Sequence, residues 1–250
     1  MRHHAVSKNG VAFGRPFLLV LRRTQLAIYA DPIGASMTDD DNIKPDLDAA
    51  YDLKGPEDNK RLYKAWADSY DADFVDASGY RLARVVARTF VQAGGKGPVL
   101  DVGCGTGQVV RNLPLGMVVD GLDLSAEMLE HARRMGRYRN LIEADVTQPL
   151  PLRPHSYEGW VSAGAFTHGH VGPQAVTRLV SMLRPGGLAV FSGNSNYFQT
   201  AGFAQMLDGL DAAGQIRDLH ISEEHIYAHP AAAPPGHEQD MGKVIVFRAT

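Results

Sequence analysis

A chain of 250 residues with 44% hydrophobic and 21% charged side chains can bury a core large enough to fold without staples. Its one cysteine, Cys104, excludes an intrachain disulfide and points to a reducing, cytoplasmic compartment. A formal net charge of −3 speaks against a basic nucleic-acid-binding surface, and no apolar run approaches the ~20 residues that cross a membrane.

Residues 1–36 carry Arg2, Lys8, Arg15, Arg22 and Arg23 against Asp31 alone, so the rest of the chain is more acidic than the total. The longest apolar run there, Phe17 to Leu21, is too short for a signal-peptide core. This stretch reads as a tail without fixed structure, or as the product of a mis-chosen start codon before Met37. Residues 37–80 read as an N-terminal helical cap. Its main helix, Glu57 to Asp73, shows Leu62, Trp66 and Tyr70 at spacings of four, with Tyr63 beside them. Residues 81–250 read as one α/β domain. An amphipathic helix from Tyr80 to Val91 ends at Gly94-Gly95-Lys96-Gly97-Pro98.

Strands and helices then alternate. The strands are Val99–Val102, Met117–Leu122, Asn140–Ala144, Tyr157–Ala163 and Leu188–Ser192. The helices between them are 106–113, Ser125–Met135 and Pro173–Leu183, and Arg184-Pro185-Gly186-Gly187 forms a turn before the fifth strand. Ser125 is suited to cap its helix, with Glu127 in the first turn and Arg133 and Arg134 in the last. Such alternation gives a parallel sheet with right-handed crossovers. Ile216–Ile221 and Lys243–Arg248 read as closing strands, the last with no helix after it, and Phe203, Met206 and Leu207 lie at helical spacing.

The chemistry concentrates at the ends of the first strands. Asp101-Val102-Gly103-Cys104-Gly105-Thr106-Gly107 follows the first strand, where glycines let the backbone turn sharply and approach a ligand. The spacing is G-x-G-x-G rather than the dinucleotide G-x-G-x-x-G, and a carboxylate beside the loop repels a pyrophosphate but suits a cation. Asp123 stands 22 residues after Asp101 at the end of the second strand, placed for ribose hydroxyls, and Asp145 follows the third strand, placed for an exocyclic amine. Together they outline a zwitterionic nucleoside without phosphates, S-adenosylmethionine. A nicotinamide-dependent oxidoreductase is the alternative on this fold, and Asp101 disfavours it.

Val99 to Gly107, Gly121-Leu122-Asp123-Leu124-Ser125, Glu143-Ala144-Asp145 and Leu183-Arg184-Pro185-Gly186-Gly187 resemble, in order, the motifs of class I S-adenosylmethionine-dependent methyltransferases. Leu62 to Asp71, with Phe166-Thr167-His168-Gly169-His170-Val171, resembles more narrowly the Williams–Beuren-region methyltransferase-like branch. The resemblance implies a Rossmann-like, doubly wound, seven-stranded and mostly parallel sheet whose last strand is antiparallel. It also implies that Asp101 and Gly103 face the methionine part while Cys104, Gly105 and Gly107 belong to the loop. By the same resemblance Asp123 holds the ribose, Leu124 and Met128 flank the adenine, Asp145 and Val146 meet its edge, and Tyr63, Trp66 and Tyr70 fold over the methionine end.

The sulfonium methyl is already activated, so the enzyme aligns an acceptor in line and excludes water. The acceptor side belongs after the fourth and fifth strands. His168 is the candidate general base, because histidine titrates near neutrality; Phe166, His170, Asn194 and Tyr197 are candidate substrate contacts. Ser162-Ala163-Gly164-Ala165-Phe166 stands where amino-methylating enzymes of nucleobases or glutamine carry Asp/Asn-Pro-Pro-Tyr/Phe, which lowers the odds of that chemistry. His168 and His170, even joined by His220, His225 and His229, make a poor zinc site, so no metal is expected. The expected acceptor is a small molecule, with no nucleic acid and no membrane as partner. A protein or RNA methyltransferase, or a cofactor-binding regulator without catalysis, stays open.

Overall fold

The apolar runs between residues 99 and 249 pair into one seven-stranded sheet. The computed structural model describes residues 55–66, 78–229, 231 and 233–250. Tyr70 and the expected tail, residues 1–36, lie outside the described residues. The strands are β1 Val99–Val102, β2 Val119–Asp123, β3 Asn140–Glu143, β4 Tyr157–Phe166, β5 Leu183–Asn194, β6 Ile216–His225 and β7 Met241–Ala249. They lie in the order β3-β2-β1-β4-β5-β7-β6. Neighbours pair in parallel except β7, which runs antiparallel to both β5 and β6. β1 is central and all four of its residues are buried, as a strand covered on both faces requires.

The helices are α1 Pro56–Trp66, α2 Leu82–Gln92, α3 Ala126–Arg134, α4 Gln174–Val180, α5 Ser195–Thr200 and α6 Phe203–Ala212. Leu82, Val86 and Phe90 place a buried stripe on α2 against one face of the sheet, with Ala83 and Ala87 beside it. On the other face Trp160, Phe166, Phe191 and Phe247 form an aromatic core, with ring centroids 4.8 Å apart for Phe166 and Phe191. α4 and α6 close over it through Leu179, Phe203 and Leu207. α1 meets α3, where Lys64 Nζ lies 3.5 Å from Glu127 Oε1.

At the amino ends of the strands a buried carboxylate ties three strands together. Asp120 on β2 accepts from Arg139 Nε at 3.0 Å and Nη2 at 2.6 Å, from Asn140 N at 3.1 Å and Nδ2 at 3.0 Å, and from Tyr157 O–H at 2.9 Å. Burial alone raises the pKa of such a group; the bonds from Arg139, Tyr157 and Asn140 outweigh it and hold Asp120 below the usual carboxylate range.

Two elements depart from the sequence reading. The helix expected at 106–113 shrinks to a single 3₁₀ turn, Val110–Asn112. Gly103, Gly105 and Gly107 have φ of +63°, +52° and +98°, and left-handed residues cannot continue a right-handed helix. Arg184 to Gly187 is not a turn between elements but part of β5; the pairing with β4 slips between Tyr157 and Gly159 to take up the extra residues.

Candidate functional site

The chain leaves β1, builds β2 and β3 on one side, then crosses to β4 on the other. This switch in strand order opens a crevice at the carboxyl ends of the strands, the usual ligand position in such sheets. An open cavity lies there. Its floor runs from Ala144, Asp145 and Val146 after β3, past Asp123 and Leu124 after β2 and Gly103 and Gly105 after β1, to Ala165 and His170 after β4.

Asp123 is the hinge of this arrangement. Its Oδ2 accepts the Gly105 N–H at 2.8 Å and its Oδ1 accepts the Ser125 N–H at 2.9 Å, so the acid at the end of β2 shapes the glycine loop after β1. A carboxylate has about four lone-pair sites, so these backbone bonds leave it acceptor capacity at the cavity. Burial pushes Asp123 above the usual carboxylate range despite these bonds. Ser125 caps α3 as its sequence indicates, its Oγ accepting the Met128 N–H at 3.2 Å, and this sets Met128 in the cavity wall. Asp145 Oδ1 accepts from Thr147 N at 2.8 Å and Oγ1 at 2.6 Å, an Asx turn that fixes the carboxylate at the cavity edge. Val146 is held alongside by Arg178, which donates to its carbonyl at 2.8 Å.

Gly103 lines the cavity where the loop after β1 packs closely on Ala165 of β4. A Cβ there would stand 2.7 Å from Ala165 Cβ, at a φ of +63°. Gly103→Ala is expected to weaken cofactor binding more than tenfold and to destabilise the fold by about 1–2 kcal/mol, the usual cost of a left-handed non-glycine residue. Titration with S-adenosylhomocysteine alongside thermal melting checks both; unchanged affinity would remove the loop from the binding surface.

Asp101 stands elsewhere than expected. The sequence reading turns it toward the methionine part, whereas its side chain is fully buried beneath the loop and accepts the Tyr138 O–H at 2.7 Å. Burial raises its pKa to about 7, the Tyr138 bond opposes this and nearby Asp123 adds to it. Cys104, also buried, has its thiol pushed far up by burial and by the two aspartates, which makes it an inert packing residue. Cys104 and Gly107 fall outside the cavity lining, as does Trp66, 2% exposed.

The acceptor side is rearranged more. Phe166, expected at the substrate, is 1% exposed and packs on Phe191 and Phe203, because β4 runs on through it and the pleat turns it into the core. Asn194 Oδ1 accepts from Asn196 N at 3.0 Å and Tyr197 N at 3.1 Å, so this residue caps α5. Tyr197 and His168 stack against each other with ring centroids 4.7 Å apart, outside the cavity. His170 is the histidine in the wall: its Nδ1 lies 2.7 Å from the His168 carbonyl oxygen, and burial lowers its pKa although that bond works the other way. Asn59 and Lys60 on α1 also line the cavity. Nothing in the sequence marks them, because polar residues in the first turn of a helix carry no signal of what they cover. Among the described residues there is no group of three or more His, Cys, Asp or Glu able to hold a metal ion, and no helix long and apolar enough to cross a membrane.

The family described as a methyltransferase domain matches residues 100–191. Methyltransferase-like protein 27 of Homo sapiens is 31% identical over 187 residues, which span 71% of this chain and 76% of that protein. A malonyl-[acyl-carrier protein] O-methyltransferase of Enterobacter lignolyticus is 37% identical over 112 residues, 44% of this chain and 42% of that one. Among solved structures, an S-adenosylmethionine-dependent methyltransferase of Thermotoga maritima covers 76% of this chain and 98% of its own with a TM-score of 0.54 at 16% identity, a likeness of fold. Gly103, Asp123 and Asp145 line one cavity whose donor set fits S-adenosylmethionine. The chain therefore belongs to the class I S-adenosylmethionine-dependent methyltransferases, with S-adenosylmethionine as its cofactor.

Proposed function

We propose that the methyl acceptor is a small molecule whose reacting oxygen or nitrogen carries a proton, and that His170, not His168, receives it. The observation that carries this reading is the position of His170 at the β4 end of the cavity, beyond the glycine loop. A carbonyl oxygen only accepts, so the ring nitrogen 2.7 Å from the His168 carbonyl is protonated. The neutral imidazole thus keeps its lone pair on Nε2, and its lowered pKa favours that neutral form at pH 7. The bound cofactor supplies an electrophilic methyl on sulfur. When that methyl moves in line to the acceptor, His170 Nε2 would take the acceptor's proton. Tyr197 and His168 support the loop from behind.

The acidic body of the chain and its lone buried thiol favour a cytoplasmic enzyme without a nucleic-acid partner. The O-methyltransferase among the relatives accords with an oxygen acceptor. Residues 37–80, as a cap, and 81–250, as the catalytic body, form the proposed division. Transfer of labelled methyl from the cofactor into fractionated extracts tests the reading. Label is expected in the small-molecule fraction, and label confined to protein or RNA would overturn it. Tight cofactor binding with no transfer into any fraction would mark a regulator instead. On the acceptor found, His170→Gln is expected to lower kcat by roughly 10²- to 10⁴-fold with cofactor affinity unchanged, while His168→Ala keeps most of the turnover. The reverse order would restore His168 as the base.

A further inference from the structure

Asn59 of α1 reaches the loop after β4. Its Nδ2 donates to the Gly55 carbonyl at 3.2 Å, closing the first turn of its own helix, and to the Gly169 carbonyl at 2.8 Å, 110 residues away. The side chain is 7% exposed and lines the cavity. Both amide hydrogens are therefore accounted for, which fixes the flip of the amide: the oxygen is the atom left over. Oδ1 has no hydrogen-bond partner. A buried acceptor without a donor costs about 1–3 kcal/mol, so such an atom in a ligand cavity points to a donor that the ligand brings.

Position decides which donor. The cavity lining follows the sheet order, with Asp145 after β3, Asp123 at the end of β2, the glycine loop after β1 and His170, next to Gly169, after β4. The bond to Gly169 sets Asn59 at the β1–β4 end, away from the two carboxylates that suit the nucleoside hydroxyls and amine. The remaining charged donor of the cofactor is its α-ammonium, which needs acceptors and no donors. Asp101 also has a carboxylate oxygen, Oδ1, without a partner, but it is fully buried, holds Tyr138 through Oδ2 and does not line the cavity, whereas Asn59 does. Lys60, next in the chain and also in the lining, offers the positive charge that the cofactor's α-carboxylate needs. We infer that Asn59 reads the methionyl ammonium through Oδ1 while its Nδ2 clamps α1 to the loop that carries His170, so that docking of the cap and seating of the cofactor are one event. The inference rests on the cofactor and is independent of the identity of the methyl acceptor.

The test compares two ligands by calorimetry on the full chain: S-adenosylhomocysteine and its analogue lacking the α-amino group. The wild type is expected to prefer S-adenosylhomocysteine by about tenfold or more, the size of one hydrogen bond to a charged group. Asn59→Ala is expected to lose that preference, whatever uniform loss follows from releasing Gly169. Asn59→Asp keeps an acceptor but forfeits both Nδ2 bonds; it is expected to keep the preference for the amino group while binding both ligands less tightly. Hydrogen exchange of residues 56–66 and 167–171 should slow together on ligand addition in the wild type and separately or not at all in Asn59→Ala. Equal losses for both ligands in Asn59→Ala would reduce the residue to a strut and overturn the inference. Failure of the wild type to bind S-adenosylhomocysteine would instead strike the cofactor assignment.

Discussion

Asp101→Asn is expected to raise the melting temperature of the cofactor-free protein at pH 8 and to flatten its dependence on pH. The carboxyl is fully buried, its pKa is raised from 3.8 to about 7, and its hydrogen-bonded neighbour is a tyrosine rather than a cation. In the unfolded chain the group ionises near pH 4. In the fold it holds its proton to about pH 7. Its contribution to stability is therefore complete below the unfolded value, declines as pH rises, and is lost once pH passes the folded value. A difference of about three units corresponds to an effect on the order of 4 kcal/mol between pH 4 and pH 8. Asparagine keeps an oxygen for the Tyr138 hydroxyl and removes the charge, so at pH 8 the variant should melt roughly 5–10 °C higher. At pH 5 the two proteins should melt within a few degrees of each other. Thermal unfolding at both pH values checks this; a wild type that is as stable at pH 8 as at pH 5 would show that the buried carboxylate is compensated. Loss of cofactor affinity in the same variant would separate a binding role from a folding one.

Asp120→Ala should act in the opposite direction and at the other end of the sheet. The variant removes the one acceptor shared by Arg139, Asn140 and Tyr157 and leaves the buried Tyr157 hydroxyl and the Asn140 amide without a partner. Breaking a buried charged network from one side costs about 3–5 kcal/mol. Urea denaturation should show that loss with an unchanged slope, and cofactor affinity should survive because the network lies away from the cavity. A loss below about 1 kcal/mol would mean that water replaces the carboxylate. The pH signs differ as well. Asp120 is held below its ordinary pKa, so its stabilisation is present above the unfolded value and disappears as pH falls through the folded one. Asp101 and Asp120 together place the stability maximum of the cofactor-free protein in mildly acid solution, roughly pH 4–6.

The positions most legible in the sequence are those set by local geometry. Ser125 caps α3 because an N-cap depends only on the four residues it touches. Asp123, Leu124, Met128, Asp145 and Val146 reach the cavity because a parallel strand delivers its last residue to the carboxyl edge whatever surrounds it. The misplacements have a common physical form. Phe166 and Asn194 stand at the carboxyl ends of β4 and β5 as expected, yet the pleat turns the first into the aromatic core and a helix terminus takes up the second. His170 lines the cavity and His168, two residues earlier, does not, a distinction that hydrophobic period cannot resolve but the fold of the loop does.

The sequence by itself determined the alternation of strands and helices along the chain, the glycine loop and the acids that follow the first three strands, while the antiparallel last strand came from the family resemblance. Those features follow from backbone chirality, from the side-chain period and from glycine's access to positive φ, all of which act within a few residues. Only the tertiary structure decided that Asp101 is sealed under the loop by Tyr138, that Asp120 binds three strands, and that Asn59 spans 110 residues to reach Gly169. Burial and hydrogen-bond partners of a polar side chain depend on what the rest of the chain packs against it. That information is absent from the neighbouring residues and appears only when the sheet has closed.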